Sequence, residues 1–190
     1  PSLGIKISQE EKATTLLQYK TSDTRVFVET GTNEGGMIEK MKSNFQKIYS
    51  IELDSNLYKK ATERFFGLVN IKLLKRDSAI EIRKVLSDLN EKALFWLDAH
   101  GGGEITTDNS PIFSELKEIF SHHIKGHIIL IDDARLFDRK TIRGIKNLAN
   151  MIKGFNLKPG IWMAPFLVHP KSKVAIDHPD WLVKKNGILV

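Results

Sequence analysis

The chain has 190 residues, 41% hydrophobic and 27% charged, which suits one globular domain with a sizeable core. It contains no cysteine, so disulfides, thiolate chemistry and cysteine zinc sites are excluded. Lysine and arginine exceed the acids 29 to 23, a net charge of +6, but they are scattered and read as a solvated surface, so no nucleic-acid partner is expected.

No stretch approaches ~20 uninterrupted apolar residues, so no membrane span is expected. No basic segment followed by an apolar block opens the chain, and a cytoplasmic location is the default expectation.

Residues 1–22 read as an N-terminal helical segment. Ser8 and Glu11 form a capping box, and Ala13, Leu16 and Leu17 supply a short apolar stripe. Arg25 to Glu29 is the first expected strand. A helix over about 34–45 follows, with Met37, Ile38, Met41 and Phe45 on one side. Lys47–Glu52 is the second strand, and Leu57, Ala61 and Phe65 mark a third helix. Asn70–Lys75 is the third strand, followed by a helix with Ile82, Val85, Leu86 and Leu89 inward. Ser78 with Glu81 reads as its capping box.

Ala93–Asp98 and His127–Asp133 are strands four and five, apolar on both faces as central parallel strands are. Between them lie a long polar loop, 99–109, and a helix opened by Ser110-Pro111, with Ile112, Leu116, Ile119 and Phe120 buried. A further helix carries Ile142, Ile145, Leu148, Ala149 and Ile152. The proline-rich remainder, 153–190, reads as short strands at the sheet edge. The whole is expected to be one domain, 1–190, with a cofactor-binding core over 25–152. Strands alternating with helices predict an α/β, Rossmann-like three-layer sandwich, its sheet mostly parallel and covered by helices on both faces.

The first strand runs into Glu29-Thr30-Gly31-Thr32-Asn33-Glu34-Gly35-Gly36. Strand, glycine turn and helix in that order build a cofactor pocket at the strand's carboxyl end. A phosphate loop would need Lys-Ser or Lys-Thr after the last glycine, whereas Met37-Ile38 follows here. A dinucleotide site would have glycine at position 33, where this chain has Asn33. S-adenosylmethionine (SAM) has no phosphate, so its turn need only let the backbone pass close, and Glu29 can face its ammonium. Glu52, at the end of the second strand, suits the ribose hydroxyls of either SAM or NAD, with Asp54 the competing acid. Asp77-Ser78 lies where an adenine amino group would be met, though capping also explains it.

Asp98 ends strand four, and Asp132 and Asp133 end strand five. Neighbouring strand ends lie about 5 Å apart, so three carboxylates would converge and repel. A hard divalent cation, Mg²⁺ first, would resolve this and could activate a substrate hydroxyl. The plainer reading has Asp98 positioning substrate while Asp132 or Asp133 caps a turn. His100 is placed to take a hydroxyl proton. The Asp98-Ala99-His100 run is shared with manganese ureohydrolases, but Gly102 stands where their next ligand would be.

Taken together, the 29–36 turn, Ile51-Glu52-Leu53-Asp54, Arg76-Asp77-Ser78 and Phe95-Trp96-Leu97-Asp98 resemble the successive motifs of class I SAM-dependent methyltransferases (EC 2.1.1). Asp98 with Asp132-Asp133 is similar to the metal-dependent sugar O-methyltransferases of antibiotic pathways, the macrocin O-methyltransferase-like group. That resemblance implies a seven-stranded sheet and a bound Mg²⁺. It assigns the cofactor to Glu29, Thr30, Gly31, Thr32, Asn33, Gly35, Gly36, Glu52, Asp54, Asp77, Ser78 and Asp98, and the metal to Asp98, Asp132 and Asp133. Asp98 and His100 become the catalytic candidates, and a small-molecule or sugar hydroxyl the acceptor. Those enzymes are longer, and a pocket completed by a second copy would make a homodimer. The competing readings are a metal-free N-methyltransferase acting on RNA or protein, an NAD-dependent oxidoreductase, and a non-catalytic binding module on this fold.

Overall fold

The structure, a computed structural model, describes residues 8–99, 111–132, 150, 152–154, 184–185 and 188–189. The chain divides into two compact units, Pro1–Met151 and Ile152–Val190.

In the first unit the elements follow the expected alternation: α1 (Gln9–Tyr19), β1 (Val26–Thr30), α2 (Gly36–Met41), β2 (Lys47–Glu52), α3 (Ser55–Arg64), β3 (Ile71–Lys75), α4 (Ser78–Ser87), β4 (Ala93–Leu97), α5 (Ile112–Ser121) and β5 (Ile128–Ile131). All five strands are parallel, in the order β3-β2-β1-β4-β5. β1 and β4 are buried along their whole length, as their uninterrupted apolar runs require. β5 is only half-buried, because it is the outer strand among the described residues.

Right-handed crossovers put α2 and α3 on one face of the sheet and α4 and α5 on the other. On the first face Phe27, Ile48, Leu94 and Trp96 pack with Met37, Ile38 and Met41 of α2, Ala61 of α3, and Ala13 and Leu16 of α1. α4 packs against α5 on the second face. There Ile82, Val85, Leu116 and Ile119 are buried.

The sheet described here has five strands, where the resemblance implied seven. In the second unit, residues 152–154 are helical, and β6 (Lys184–Lys185) pairs antiparallel with β7 (Ile188–Leu189) in a separate two-stranded sheet. The helix expected around 142–149 lies outside the described residues.

Local corrections have local causes. α2 stops at Met41, and residues 42–44 form turns, so the helix is shorter than the apolar spacing suggested. Asp77, rather than Ser78, caps α4: its carboxylate accepts from the Ala79 N–H, and Ser78 becomes the first helical residue. Asp77 and Ser78 are both good caps, and the one in extended conformation takes the position. Pro111 sits at the N-cap of α5, one residue earlier than expected. The capping box of α1 forms as read, with Ser8 and Glu11 bonding reciprocally.

Candidate functional site

The chain leaves β1 outward through β2 to β3, then crosses back to lay β4 beside β1. The strand order therefore reverses between β1 and β4, and ligands of open α/β sheets bind beyond the carboxyl ends at such a point. The glycine turn occupies that point. Gly31 has φ +84°, and a Cβ there would lie 2.5 Å from the Asp98 carbonyl oxygen. Only glycine lets the turn lie this close to the end of β4. The N–H groups of Gly31 and Thr32 both donate to the Ile51 carbonyl, at 2.9 and 3.3 Å. Asn33 has φ +51°, within the left-handed region that asparagine tolerates. Gly35, at φ +77°, is the N-cap of α2, and a Cβ there would meet the Phe65 ring at 2.4 Å.

Glu29 is buried at 2% exposure. The Ser50 hydroxyl is 2.6 Å from its Oε2, and the Thr32 hydroxyl is 2.6 Å from the Ser50 oxygen. When Glu29 is ionised, the donor order must run from Thr32 to Ser50 to Glu29, since each hydroxyl has one proton to give. Burial pushes the Glu29 pKa up to about 8; the Ser50 hydrogen bond opposes this, and the charges of Asp98 and Glu52 add to it. At neutral pH the acid thus holds a proton, and a cation arriving beside it would release that proton.

Glu52 is also buried. Its Oε2 accepts from the Asn33 N–H at 2.8 Å and its Oε1 from the Asp54 N–H at 2.9 Å. It ties the glycine turn to the loop before α3, and each oxygen keeps a further lone pair for a hydroxyl. Asp54 is exposed and caps α3, accepting from the Asn56 and Leu57 N–H groups. Its local role is thereby accounted for, and Glu52 is the better-placed ribose acid. Asp77 uses one oxygen for its cap and keeps the other.

The rim beyond β4 and β5 is in register. The Asp98 N–H donates to the Thr30 carbonyl at 3.0 Å and to its hydroxyl at 3.3 Å, and the Asp132 N–H donates to the Leu97 carbonyl at 3.0 Å. Thr30, Asp98 and Asp132 thus line up across three strands. The Asp132 carboxylate is ion-paired with Lys12 of α1, and that ammonium lies 5.9 Å from the centre of the Trp96 ring. His100 and Asp133 lie outside the described residues. Among the described residues no group of three or more metal-ligating side chains comes together.

Sequence reasoning missed two contributors, the half-buried Lys12 and the buried Glu115. Lys12 gave no signal, since it reaches a partner 120 residues away. Glu115 did leave one, a charge three residues after Ile112 within the apolar stripe of α5. It is 1% exposed, its Oε1 has no hydrogen-bond partner among the described residues, and burial raises its pKa to about 7 against the opposing Ser78 and Thr30 hydroxyls. It sits beneath the same strand ends. By contrast, a cavity of about 320 Å³ lined by Tyr58, Phe65, Phe66, Val69 and Leu73 is not lined by the candidate acids.

No known family model matches the sequence. Solved structures do resemble it. The precorrin-6y C5,15-methyltransferase of Geobacter metallireducens superposes with a TM-score of 0.55 at 12% identity, over 79% of this chain and 74% of that one. SMU.1697c of Streptococcus mutans, assigned as a methyltransferase and solved with S-adenosylhomocysteine (SAH), gives 0.51 at 14% identity, over 78% and 83%. The chain spans about half the length of other matched proteins: it covers 48% of CalS10, an amino pentose methyltransferase of Micromonospora echinaspora, at 14% identity and TM-score 0.47 over 65% of this chain. With the first two of these the chain shares its fold, a parallel α/β sheet flanked by helices.

Proposed function

We propose that the chain is a SAM-dependent methyltransferase acting on a hydroxyl of a small molecule or sugar. The observation carrying this is the Glu29–Ser50–Thr32 network under a glycine turn pressed against the end of β4. A buried acid with a raised pKa is costly unless a cationic ligand meets it, and SAM presents an ammonium. Gly31 admits the backbone, Glu52 offers lone pairs to ribose hydroxyls, and Asp77 keeps one oxygen for the adenine amino group. Thr30, Thr32, Asn33, Gly35 and Gly36 shape the turn, and Ser78 underlies the adenine end.

When bound, SAM supplies an electrophilic methyl carbon on a sulfonium. That methyl group would be what the acceptor oxygen receives, with SAH as the product left by SAM. The protein's part is alignment and proton acceptance. Asp98, one residue past β4 and beside Gly31, holds the acceptor hydroxyl, and its proton passes to Asp98 or to His100.

The expected Mg²⁺ has no part in this mechanism. Asp98 and Asp132 have the right oxygen chemistry, but the Lys12 ammonium already sits on Asp132, so the described donors do not fit a divalent ion as they stand.

Titration calorimetry with SAH and with NADH tests the reading. SAH should bind and NADH should not. NADH binding without SAH binding would replace it with an oxidoreductase, and binding of neither would favour a non-catalytic module. If SAH binds, turnover on RNA or protein amines rather than hydroxyls would replace the acceptor class.

A further inference from the structure

Helix α1 runs alongside the candidate site, approaching it at one point and ion-paired at two others. The Gln9 side chain lies 3.8 Å from where a Cβ on Gly36 would be, at the start of α2. Glu10 pairs with Lys40 of α2. Lys12 pairs with Asp132 beyond β5, where both side chains are largely withdrawn from solvent, at 20% and 12% exposure. Ala13 and Leu16, following Lys12, are buried against the sheet. The helix thus reaches from the glycine turn to the acidic rim, resting on Trp96.

The rim needs positive charge. Asp98 and Asp132 end adjacent strands, and the carboxylate of Glu52 is buried nearby; Glu29, kept protonated chiefly by its burial, adds no charge of its own. Like charges held this close in a partly dry site destabilise one another unless a cation is interposed. A lysine does this as a compact point charge on a flexible stem.

We propose that Lys12 is a positioning residue that serves as the protein's own cation at the acceptor rim and clamps α1 across the cofactor mouth. Its bond to Asp132 does the work that a divalent ion was expected to do there. A metal entering the rim would have to displace Lys12 and loosen α1. The part of this concerning the cofactor rests on the methyltransferase reading; the clamp itself does not.

Hydrogen exchange on the ligand-free protein tests the clamp. In Lys12→Met, amides of α1 should exchange at least tenfold faster than in the wild type, while those of β1 and β4 are unchanged, showing that the variant is folded. Lys12→Arg should restore α1 exchange to within about threefold. SAH should dissociate at least fivefold faster from Lys12→Met. Unchanged α1 exchange in Lys12→Met would overturn the proposal. So would Mn²⁺ binding by the wild type that is lost in Asp132→Asn yet leaves α1 exchange unaltered, since Lys12 would then not be the rim's cation. If α1 loosens as expected but the wild type does not bind SAH, the clamp stands and the methyltransferase reading fails.

Discussion

A methyl group on Gly31 would lie 2.5 Å from the carbonyl oxygen of Asp98, so the turn after β1 and the end of β4 are built for one another. Gly31→Ala must move one of them, and it also places a side chain at φ +84°. We expect a loss of more than about 1 kcal/mol in stability and at least a tenfold loss of SAH affinity, about 1.4 kcal/mol. Urea unfolding and calorimetry measure the two. Wild-type values for both would show that the turn tolerates a shift.

Glu29 sets a pH dependence of stability. Its folded-state pKa is raised to about 8 from the ordinary 4.5, so the folded protein holds a proton that the unfolded chain has released. That contribution is fully present below about pH 4.5 and is lost as pH rises through 8. Glu115, raised to about 7, acts in the same direction. Glu29→Gln should flatten the decline between pH 5 and pH 9 by a few kcal/mol, on the order given by linkage for a shift of this size. Urea unfolding across that range decides it, and a profile as steep as the wild type's would mean that Glu29 ionises freely.

The same protonation should be visible in binding. If a ligand ammonium meets Glu29, SAH binding at pH 7 releases a proton, and the calorimetric enthalpy will vary with the buffer's ionisation heat. In Glu29→Gln that variation should disappear. Its persistence would assign the released proton to another group.

Glu52 accepts the Asn33 and Asp54 amides at 2.8 and 2.9 Å. Glu52→Ala leaves both donors without this acceptor and removes the candidate ribose contact. An SAH affinity at least tenfold weaker is expected, with at least 1 kcal/mol of lost stability from the stranded donors. Unchanged affinity would move the ribose site elsewhere.

The opposite rim responds to acid. The Ala93 N–H donates to His127 Nδ1 at 3.1 Å, so the neutral His127 ring carries its proton on Nε2 and donates to His122 Nδ1 at 2.8 Å. Burial, with His122 and Lys125 nearby, pushes the His127 pKa down to about 4. Here the stability is present above about pH 6.5 and is lost as pH falls toward 4. His127→Phe should remove that acid slope, measurable as thermal midpoints from pH 7 to pH 4. An unaltered slope would point to other groups.

The alternation of strands and helices was legible because parallel strands buried on both faces must be written as continuous apolar runs, as Ala93–Leu97 is. Glu29, Gly31 and Glu52 were legible because they fall at strand ends, where topology gathers ligands. Capping at Asp77-Ser78 was partly legible, since it is decided within three residues, whereas Asp54 was read as a rival ribose acid and is a helix cap. Lys12 and Glu115 were not read, because what makes each notable is a contact with a distant element: Asp132 for one, Ser78 and Thr30 for the other. The half-buried state of β5 depends on its place in the sheet, which an apolar run cannot reveal.

The central strand meets its two neighbours at very different distances along the chain. Val26 pairs with Lys47 on one side and with Ala93 on the other. Closing the shorter loop costs less entropy, so β1, α2 and β2 can assemble before β4 docks. Gly31 meets Asp98 only after that docking, so the completed cleft is a product of the last long-range step. We therefore expect SAH to leave the refolding rate almost untouched and to slow unfolding, which stopped-flow kinetics with and without SAH would show; a ligand-accelerated refolding rate would mean that the cleft is already assembled at the folding barrier.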